Sequence, residues 1–421
     1  MKKILIVTYY WPPAGGPGVQ RILKIVEHLP EQGWEPIVLT VENPSAPAID
    51  ESLLARIPEN IKIYKTKTSE PFEAYKKLTG KKAGEALPKN ISLSENISAK
   101  EKLSRWIRAN LFIPDARKGW KRFLVREGMK IIENEKPDLI FSTSPPHSLQ
   151  LGAMRLAKKS GLPWVADLRD PWSEAYWEAD MPKSKRSEAK NRVFESKVLN
   201  TADHITTVGK GIAGLLQKKT TKPVSVIYNG YREVDNTKID SEYFEILHLG
   251  NLSSIQSLNE LLEAIKGIRP ELRKKIKLRF IGSLAEEYRK NVDEMDYIEK
   301  EYLPFLPYEK MMKEAQSASM LYLPRLNSSY SKSLISAKIF DYLALSRPIL
   351  AIADKDSDIA EILRDCGAGK SFESKDIPSI QYYIEQHLSG TLESLIDPKK
   401  LKTYSLESNI STLVEKLEEL L

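Results

Sequence analysis

The sequence predicts an α/β protein of two doubly wound domains, each a parallel sheet with helices on both faces. Three observations support this prediction. The chain has 421 residues, which is too long for one ordinary hydrophobic core. Short apolar runs alternate with longer amphipathic segments almost throughout, as expected of strand–helix–strand units. This alternation restarts near residue 240, after the charged stretch YREVDNTKIDSEY.

The first series contains six apolar runs that we interpret as buried strands. They are KILIVTYY, EPIVLTV, PDLIFST, PWVADL, HITTVG and VSVIYNG. Helical periodicity lies between them, for example in GVQRILKIVEHLPEQG and HSLQLGAMRLAKKSG. Residues 70–110 are weakly periodic and rich in Lys, Ser, Glu and Asn, which indicates an insertion over this domain. We therefore predict a first domain over residues 1–235, with a basic insertion over about 70–130.

The second series shows the same alternation and predicts a second domain over residues 236–404. Its segments are FEILHLGNL, LNELLEAIKGI, IKLRFIGS, SASMLYLP, SLISAKIFDYLALS, PILAIA and DIAEILRDCG. The closing stretch YSLESNISTLVEKLEELL has helical periodicity. It predicts a C-terminal helix over residues 405–421, with Ser405 or Ser408 as its cap.

The single cysteine and the lack of long apolar runs bear on the compartment. Cys366 alone excludes an internal disulfide and fits a reducing compartment, and we interpret it as packing because no base lies beside it. The opening Met1-Lys2-Lys3 followed by ILIV imitates a signal peptide, but its apolar run stops at Thr8. No run approaches the ~20 residues of a membrane span. We expect a cytoplasmic protein, at most peripheral on the inner face of a membrane.

The net charge of +7 is concentrated in residues 100–130, which hold ten basic and three acidic residues. This charge is combined with the large apolar side chains of Trp106, Leu111, Phe112, Ile113, Trp120 and Phe123. Cations attract anionic headgroups and interfacial aromatics add apolar contact, so the segment predicts docking on an anionic membrane surface. The cations chosen for this role are Arg117, Lys118, Lys121 and Arg122. The alternative is a segment whose aromatics lie in the core. No nucleic-acid motif is present, so no nucleic acid partner is expected.

The stretch AGGPGVQR after the first strand raises the question of a phosphate-binding loop. A dinucleotide fingerprint needs G-x-G-x-x-G, but Arg21 stands at its third glycine position. No G-K-[ST] follows, which excludes a Walker loop. Two interpretations remain. The stretch is a connecting turn without a ligand, or its backbone amides face an anionic group at the start of the helix that begins near Val19.

Several segments taken together resemble the retaining glycosyltransferases of family 4 (glycosyl transferases group 1). They are ILIVTYYWPPAGGPGVQRILKIVEHL, TADHITTVG, IYNGY, HLGNLSSIQSLNELLEA and SKSLISAKIFDYLALSRPIL. The resemblance covers nearly the whole chain and implies the GT-B fold, in which two Rossmann-like domains face each other across a cleft, with a C-terminal helix that returns to the first domain. It also implies retaining sugar transfer from a nucleotide sugar to a glycan or lipid-linked acceptor in cell-surface polysaccharide synthesis. It implies no bound metal and no cofactor besides the donor substrate.

The resemblance places the donor site on the second domain, around an E-x7-E motif at a helix start. Asp341 occupies the second position of this motif and is expected to hold the ribose diol. Ser333 occupies the first position, where the family's glutamate touches the donor sugar. The family's basic pair falls on Asn251 and Gln256, which are neutral and follow Gly250. The usual cations for the diphosphate are therefore absent.

Lys338 is the expected substitute, because it lies three residues before Asp341 near the same helix start. Without a metal, basic side chains and a helix N-terminus must offset the charge of the diphosphate. The alternative for Lys338 is a solvated helix lysine. From the first domain, Gly15 and Gly16 are expected to close over the diphosphate or the reacting sugar. Three further residues are candidates for contact with the phosphates, namely Arg21, Lys210 and Arg325.

Two residues of the first domain are the catalytic candidates. His147 follows the strand PDLIFS at the carboxyl edge of the predicted sheet, and the family carries a cleft histidine in a comparable place. A histidine that only caps a helix is the alternative. Asp170 follows the next strand, in DLRDPW, and is expected to face the acceptor. Asp167, Arg169 and Asp170 would equally suit a structural ion pair.

Two other functions stay open on the sequence alone. A nucleotide-sugar 2-epimerase shares the fold, but the five histidines of the chain show no obvious acid–base set. A catalytically degenerate subunit that binds nucleotide or glycan would explain Ser333, Asn251 and Gln256. No H-E-x-x-H motif, paired cysteine or G-x-S-x-G elbow indicates a metal site or a hydrolase.

Overall fold

The computed structural model describes residues 1–44, 46, 48–70, 99–174, 181–234, 241–325, 334–392 and 395–421. The chain divides into two compact units. The first comprises Met1–Val208, Ile212–Ile227 and Ile410–Leu421, and the second comprises Gly209–Gly211 and Tyr228–Asn409. The second unit therefore starts a few residues before the predicted boundary at 236. Residues 71–98 of the predicted insertion lie outside the described residues.

The first unit contains a seven-stranded sheet in the order β3-β2-β1-β4-β5-β6-β7, with every neighbouring pair parallel. Its strands are β1 Lys2–Thr8, β2 Trp34–Val41, β3 Lys62–Thr66, β4 Leu139–Ser144, β5 Trp164–Leu168, β6 His204–Thr207 and β7 Val224–Val226. The helices of this part of the chain are α1 Pro17–His28, α2 Ala99–Leu111, α3 Lys121–Glu135, α4 Ser148–Ser160, α5 Lys185–Leu199 and α6 Lys210–Gln217. Short 3-10 helices lie at Pro30–Gln32, Glu51–Arg56 and Lys118–Trp120.

The apolar runs of the sequence explain this sheet. Strands β1, β4 and β5 are buried almost throughout, as expected where helices cover both faces of a parallel sheet. Trp120 is 1% exposed in the same core, and its indole N–H donates to Thr66 Oγ1 at 2.7 Å. Phe123 packs against this core as well. The prediction that these two aromatics belong to a docking face is therefore wrong.

The second unit contains a six-stranded parallel sheet in the order β10-β9-β8-β11-β12-β13. Its strands are β8 Phe244–Leu249, β9 Ile276–Ile281, β10 Glu299–Leu303, β11 Met320–Leu323, β12 Ile349–Ile352 and β13 Gly369–Phe372. The helices are α7 Asn259–Gly267, α8 Pro270–Arg273, α9 Glu286–Asp293, α10 Tyr308–Glu314, α11 Lys338–Leu345, α12 Asp358–Cys366, α13 Ile377–Leu388, α14 Pro398–Lys402 and α15 Leu406–Glu418, with a 3-10 helix at Ala315–Ser317.

The last helix, α15, begins in the second unit, and its residues from Ile410 group with the first. Ser405 is its cap, because the hydroxyl of Ser405 accepts the N–H of Ser408 at 3.1 Å. None of the helices within the described ranges is both long enough and apolar enough to cross a bilayer.

Each sheet has one point at which the strand order reverses. In the first sheet β1 lies between β2 and β4, and in the second β8 lies between β9 and β11. The loops that leave the carboxyl ends of such neighbouring strands run to opposite faces of the sheet. They leave a crevice, which is where α/β proteins bind ligands.

Candidate functional site

Lys338 stands at the reversal point of the second sheet, as the first residue of α11. Its Nζ lies 3.0 Å from His248 Nε2 at the end of β8 and 3.0 Å from the carbonyl oxygen of Asn251. His248 Nδ1 lies 3.1 Å from the carbonyl of Tyr322 in β11. A carbonyl only accepts, so Nδ1 carries the proton and Nε2 accepts from Lys338. Two N–H groups of the ammonium are thus engaged, and within the described ranges the third has no partner, so it is available to a ligand.

The surroundings of this pair oppose a positive charge on Lys338. Burial lowers the pKa of Lys338 to about 8, although Asp341 partly offsets the effect. A lysine in the first turn also faces the positive end of the helix dipole. Burial and the Lys338 charge lower the pKa of His248 to about 3, so the imidazole is neutral. A cation held where a helix already favours anions indicates an anion-binding position.

Two glycines let the strand ends approach Lys338 closely. Gly250 has φ +86°, and a Cβ placed on it would lie 3.0 Å from Lys338 Cε. Gly282, after β9, has φ +130°, and its Cβ would lie 2.4 Å from the carbonyl oxygen of Gly250. Side chains at these positions would separate the two loops and displace the lysine.

The other donor-site candidates of the second unit lie on the same sheet edge or near it. Asp341 is in the first turn of α11, and its Oδ1 accepts the hydroxyl of Tyr308 at 3.0 Å. Asn251 Oδ1 accepts the hydroxyl of Ser283 at 2.5 Å. Gln256 folds back on its own turn, where Oε1 accepts the N–H of Ser253 at 3.3 Å. Ser333 lies outside the described residues.

Two of the three further candidates for phosphate contact hold carboxylates in the second unit. Arg325 follows β11, and its Nη2 lies 3.3 Å from Asp354 Oδ2, beyond the end of β12. Lys210 Nζ lies 2.5 Å from Glu361 Oε1. Lys338 therefore remains the cation with the clearest ligand-directed geometry in this unit.

Arg21, the third of these candidates, is a core residue and not a ligand for phosphate. Its guanidinium is 4% exposed and holds Asp167, with Nη2 2.8 Å from Oδ1 and Nε 3.3 Å from Oδ2. The hydroxyls of Thr143 and Thr206 also donate to this carboxylate, at 2.7 and 2.9 Å. The opposite charge holds the pKa of Asp167 below its usual range despite complete burial. The predicted phosphate role of Arg21 is wrong, because its charge is already satisfied.

His147 sits after β4, directly before α4, at the reversal point of the first sheet. Its ring stacks on Trp172, with centroids 4.7 Å apart and planes 10° from parallel. Among the described residues neither ring nitrogen has a hydrogen-bond partner. Burial and the nearby Arg169 lower the pKa of His147 to about 3. A neutral imidazole with two uncommitted nitrogens suits contact with a polar ligand.

Arg169 joins three loops at this edge, a role that the sequence did not reveal. Its Nη1 donates to the carbonyl of Gly18 at 2.9 Å, and its Nη2 donates to that of Pro145 at 3.1 Å. A Cβ on Gly18 would lie 2.8 Å from Nη2, so a side chain at this position would displace the guanidinium. Asp170, the next residue, forms no hydrogen bond or ion pair with any described residue. Burial raises its pKa, while Arg169 lowers it.

The paired glycines of the opening loop differ in their surroundings. The N–H of Gly15 donates to Ala48 at 2.9 Å, and a Cβ on Gly15 would lie 3.2 Å from Asp50 Cβ. Gly16 has φ +106°, and the space around its missing side chain is open. Backbone strain therefore accompanies any substitution of Gly16, besides whatever a side chain obstructs. Contact of either glycine with a ligand stays a prediction.

Comparisons with known proteins bear on the family and the fold of the chain. The model of Glycosyltransferase Family 4 matches residues 91–233. The chain is 22% identical to the probable glycosyltransferase WbjE of Pseudomonas aeruginosa over 281 residues, which is 61% of this chain and 68% of that protein. The structure of Anabaena Alr3699/HepE in complex with UDP-glucose matches over the full length of both chains, with a TM-score of 0.62 at 12% identity. The chain therefore has the GT-B fold.

Another structure with this fold, the apo form of the lipopolysaccharide outer core galactosyltransferase WaaB, also matches over the full length of both chains, with a TM-score of 0.62 at 12% identity. The predicted fold class is thus confirmed. Within the second unit, Gly250, Asn251, Lys338 and Asp341 come together. The sequence did not reveal His248, although its place at the end of the strand FEILHL was a usable signal.

Proposed function

We propose that this protein is a glycosyltransferase, which moves a sugar from a nucleotide sugar to a glycan or lipid-linked acceptor with retention at the anomeric carbon. The observation that carries the proposal is Lys338, a largely buried cation at the first residue of α11 with one N–H left for a ligand. A helix N-terminus and a buried cation together offset the charge of a diphosphate leaving group. Transfer without a metal ion is part of the proposal.

Known relatives support the donor class. Alr3699/HepE was crystallised with UDP-glucose, and WaaB is named as a galactosyltransferase of the lipopolysaccharide outer core. By analogy, we assign Asp341 to the ribose and Lys338 to the diphosphate. The same analogy favours an acceptor of the cell-surface polysaccharide type.

His147 and Asp170 are the candidates for the reacting end of the substrates. His147 is neutral with both ring nitrogens uncommitted among the described residues, so it would contact a sugar hydroxyl by hydrogen bonding and not by charge. Asp170 is a carboxylate without a described partner, which would suit an acceptor hydroxyl as hydrogen-bond acceptor. Both assignments are part of the proposal.

An anionic membrane surface is the proposed place of action. A lipid-linked acceptor is presented at a membrane, and residues 100–130 carry the excess positive charge of the chain. The enzyme would then act from the cytoplasm on the inner face of that membrane.

The Lys338→Met variant tests the donor site. Loss of a charged hydrogen bond should weaken nucleoside diphosphate binding about tenfold to a hundredfold while nucleoside binding stays unchanged. Lys290→Met, which removes an exposed lysine from α9, is the matched control. Titration calorimetry measures both ligands, and equal weakening of the two by Lys338→Met would contradict the role.

Incubation with labelled donor and a panel of glycan acceptors separates the three candidate functions. Transfer supports the proposal, and the configuration of the new bond reports retention. Recovery of an epimerised donor would instead indicate a 2-epimerase. Binding without turnover across the panel would indicate a partner subunit.

A further inference from the structure

Trp172 packs on His147 from the loop that follows β5, within the first unit. Its indole is 1% exposed, and His147, at 8%, is also more than nine-tenths buried. The two ring centroids lie 4.7 Å apart, with planes 10° from parallel. Rotation about the last side-chain bond of a histidine is otherwise broad. Because neither ring nitrogen of His147 has a hydrogen-bond partner among the described residues, packing against the indole sets the plane of the imidazole.

The indole of Trp172 is itself held by a buried amide. Its Nε1–H donates to Oδ1 of Asn191 at 2.9 Å, and Asn191 is 5% exposed in the middle of α5. This N–H is the only hydrogen-bonding group of a tryptophan side chain. One bond therefore fixes the direction in which the indole lies beneath the imidazole.

The next residue of the loop is held by the next turn of the same helix. The hydroxyl of Ser173 donates to the carboxylate of Glu195, which is 2% exposed. Lys219 neutralises this carboxylate, with Nζ 2.8 Å from Oε1, and also donates to Ser173 Oγ at 3.1 Å. Residues four apart on a helix lie on one face. Asn191 and Glu195 therefore support two consecutive loop residues from one side of α5.

The buried side of α5 departs from the pattern of a core helix where it meets this loop. Asn191 and Glu195 are polar at buried positions, where an amphipathic helix presents apolar residues to the core. Val198 and Leu199 restore the apolar pattern after them. Both polar side chains find hydrogen-bond donors in the loop. This part of α5 is thus suited to fixing the loop and not only to filling the core.

We infer that Asn191 is a positioning residue for His147, whose imidazole it orients through Trp172. A hydrogen bond weakens steeply when it is bent, so an imidazole that is oriented before a sugar hydroxyl arrives can bind it without reorganisation. The inference rests on the proposed function for the contact between His147 and the sugar. The orientation of the ring is a property of the protein alone and is measured without a substrate.

Nuclear magnetic resonance of the full chain with ring-labelled histidine reports this orientation. The chain has five histidines, and His147→Gln identifies the His147 signal by its loss. The ring current of a stacked indole displaces this signal, so Trp172→Leu gives its value for an unstacked ring. We expect Asn191→Leu to move the His147 signal toward that value. An unchanged signal in Asn191→Leu would overturn the inference.

Asn191→Asp tests the same bond in case leucine is not tolerated at this position. It keeps an oxygen that accepts the indole N–H, so the His147 signal should stay where it is in the unmodified protein. Displacement of the signal in Asn191→Asp, as large as in Trp172→Leu, would contradict the inference.

A double-mutant cycle separates action through the indole N–H from general damage. Trp172→Phe keeps an aromatic ring beside His147 but has no N–H, so Asn191→Leu should have no further effect in that background. With Trp172 present, Asn191→Leu should lower kcat for sugar transfer about tenfold and leave nucleoside diphosphate affinity unchanged. Equal losses of kcat in the two backgrounds would overturn the inference, as would a loss of diphosphate affinity.

Val198→Ala is the matched control, because it truncates a fully buried residue two turns further along α5. It should lower the temperature of thermal unfolding, while the His147 signal and kcat stay unchanged. Changes as large as those of Asn191→Leu would show that lost stability is sufficient, against the inference. Absence of sugar transfer by the unmodified protein, with the expected displacements of the His147 signal, would count against the proposed function alone.

Discussion

At the scale of single residues, His248 determines how Lys338 presents its charge. Its Nδ1 proton is committed to Tyr322, so Nε2 must accept from the ammonium. We expect His248→Leu, which removes the acceptor, to weaken nucleoside diphosphate binding about tenfold. His248→Gln keeps an acceptor and should retain most of the affinity. Calorimetry with nucleoside and nucleoside diphosphate checks this. A purely structural role for His248 would instead weaken both ligands alike, in both variants.

The pKa of Lys338 gives the donor site a pH dependence of defined sign. The amine is charged below a pKa of about 8 and neutral above it, so diphosphate affinity should be level below about pH 8 and fall above it. A bound diphosphate stabilises the charged form and delays the fall. Lys338→Arg keeps its charge throughout and should show a level profile across the same range. Parallel profiles for the two proteins, measured by calorimetry, would show that another group titrates.

At the scale of elements, the buried strands were predictable, whereas the edge strands β3 and β10 were not. Strands β1, β4 and β8 are buried almost throughout, because helices cover both faces of the sheet. Strands β3 and β10 lie at sheet edges and read KIYKT and EKEYL, with charged residues that face water. Such residues interrupt the apolar pattern by which a strand is predicted. They also hinder the pairing of an edge strand with another chain.

The basic segment at 100–130 shows a second limit of the sequence. Treated as one stretch, it predicted that all its aromatics lie on one face. The structure divides it into α2, a short connection and α3, whose core side carries Leu124, Gly128 and Ile131. That spacing of four and three residues was visible in the sequence. The approach of Arg155 and Lys159 of α4 to the cations of α3 was not, because it depends on helix packing.

At the scale of the whole molecule, the two units are separate in contacts but not in sequence. Residues Ile410–Leu421 follow the second unit and group with the first. Lys2 of β1 forms an ion pair with Glu418 of α15 at 3.0 Å, and Leu417 is completely buried. The resemblance implied such a return, whereas hydrophobic periodicity alone predicts a helix and not its partner. The hydrogen bond from Arg169 to the carbonyl of Gly18 was equally unpredictable, because it joins segments that are far apart in the sequence.

The last helix should therefore stabilise the first unit and leave the second unaffected. Leu417→Ala removes a buried side chain and should lower the free energy of unfolding of the first unit by about 2–5 kcal/mol. Leu421→Ala makes the same truncation at a residue that is 55% exposed and should have almost no effect. Amide hydrogen exchange reports each unit separately, through peptides from β1 and β8. We expect faster exchange in β1 with unchanged exchange in β8 and unchanged nucleoside diphosphate affinity. Loss of protection in β8 instead would place α15 with the second unit.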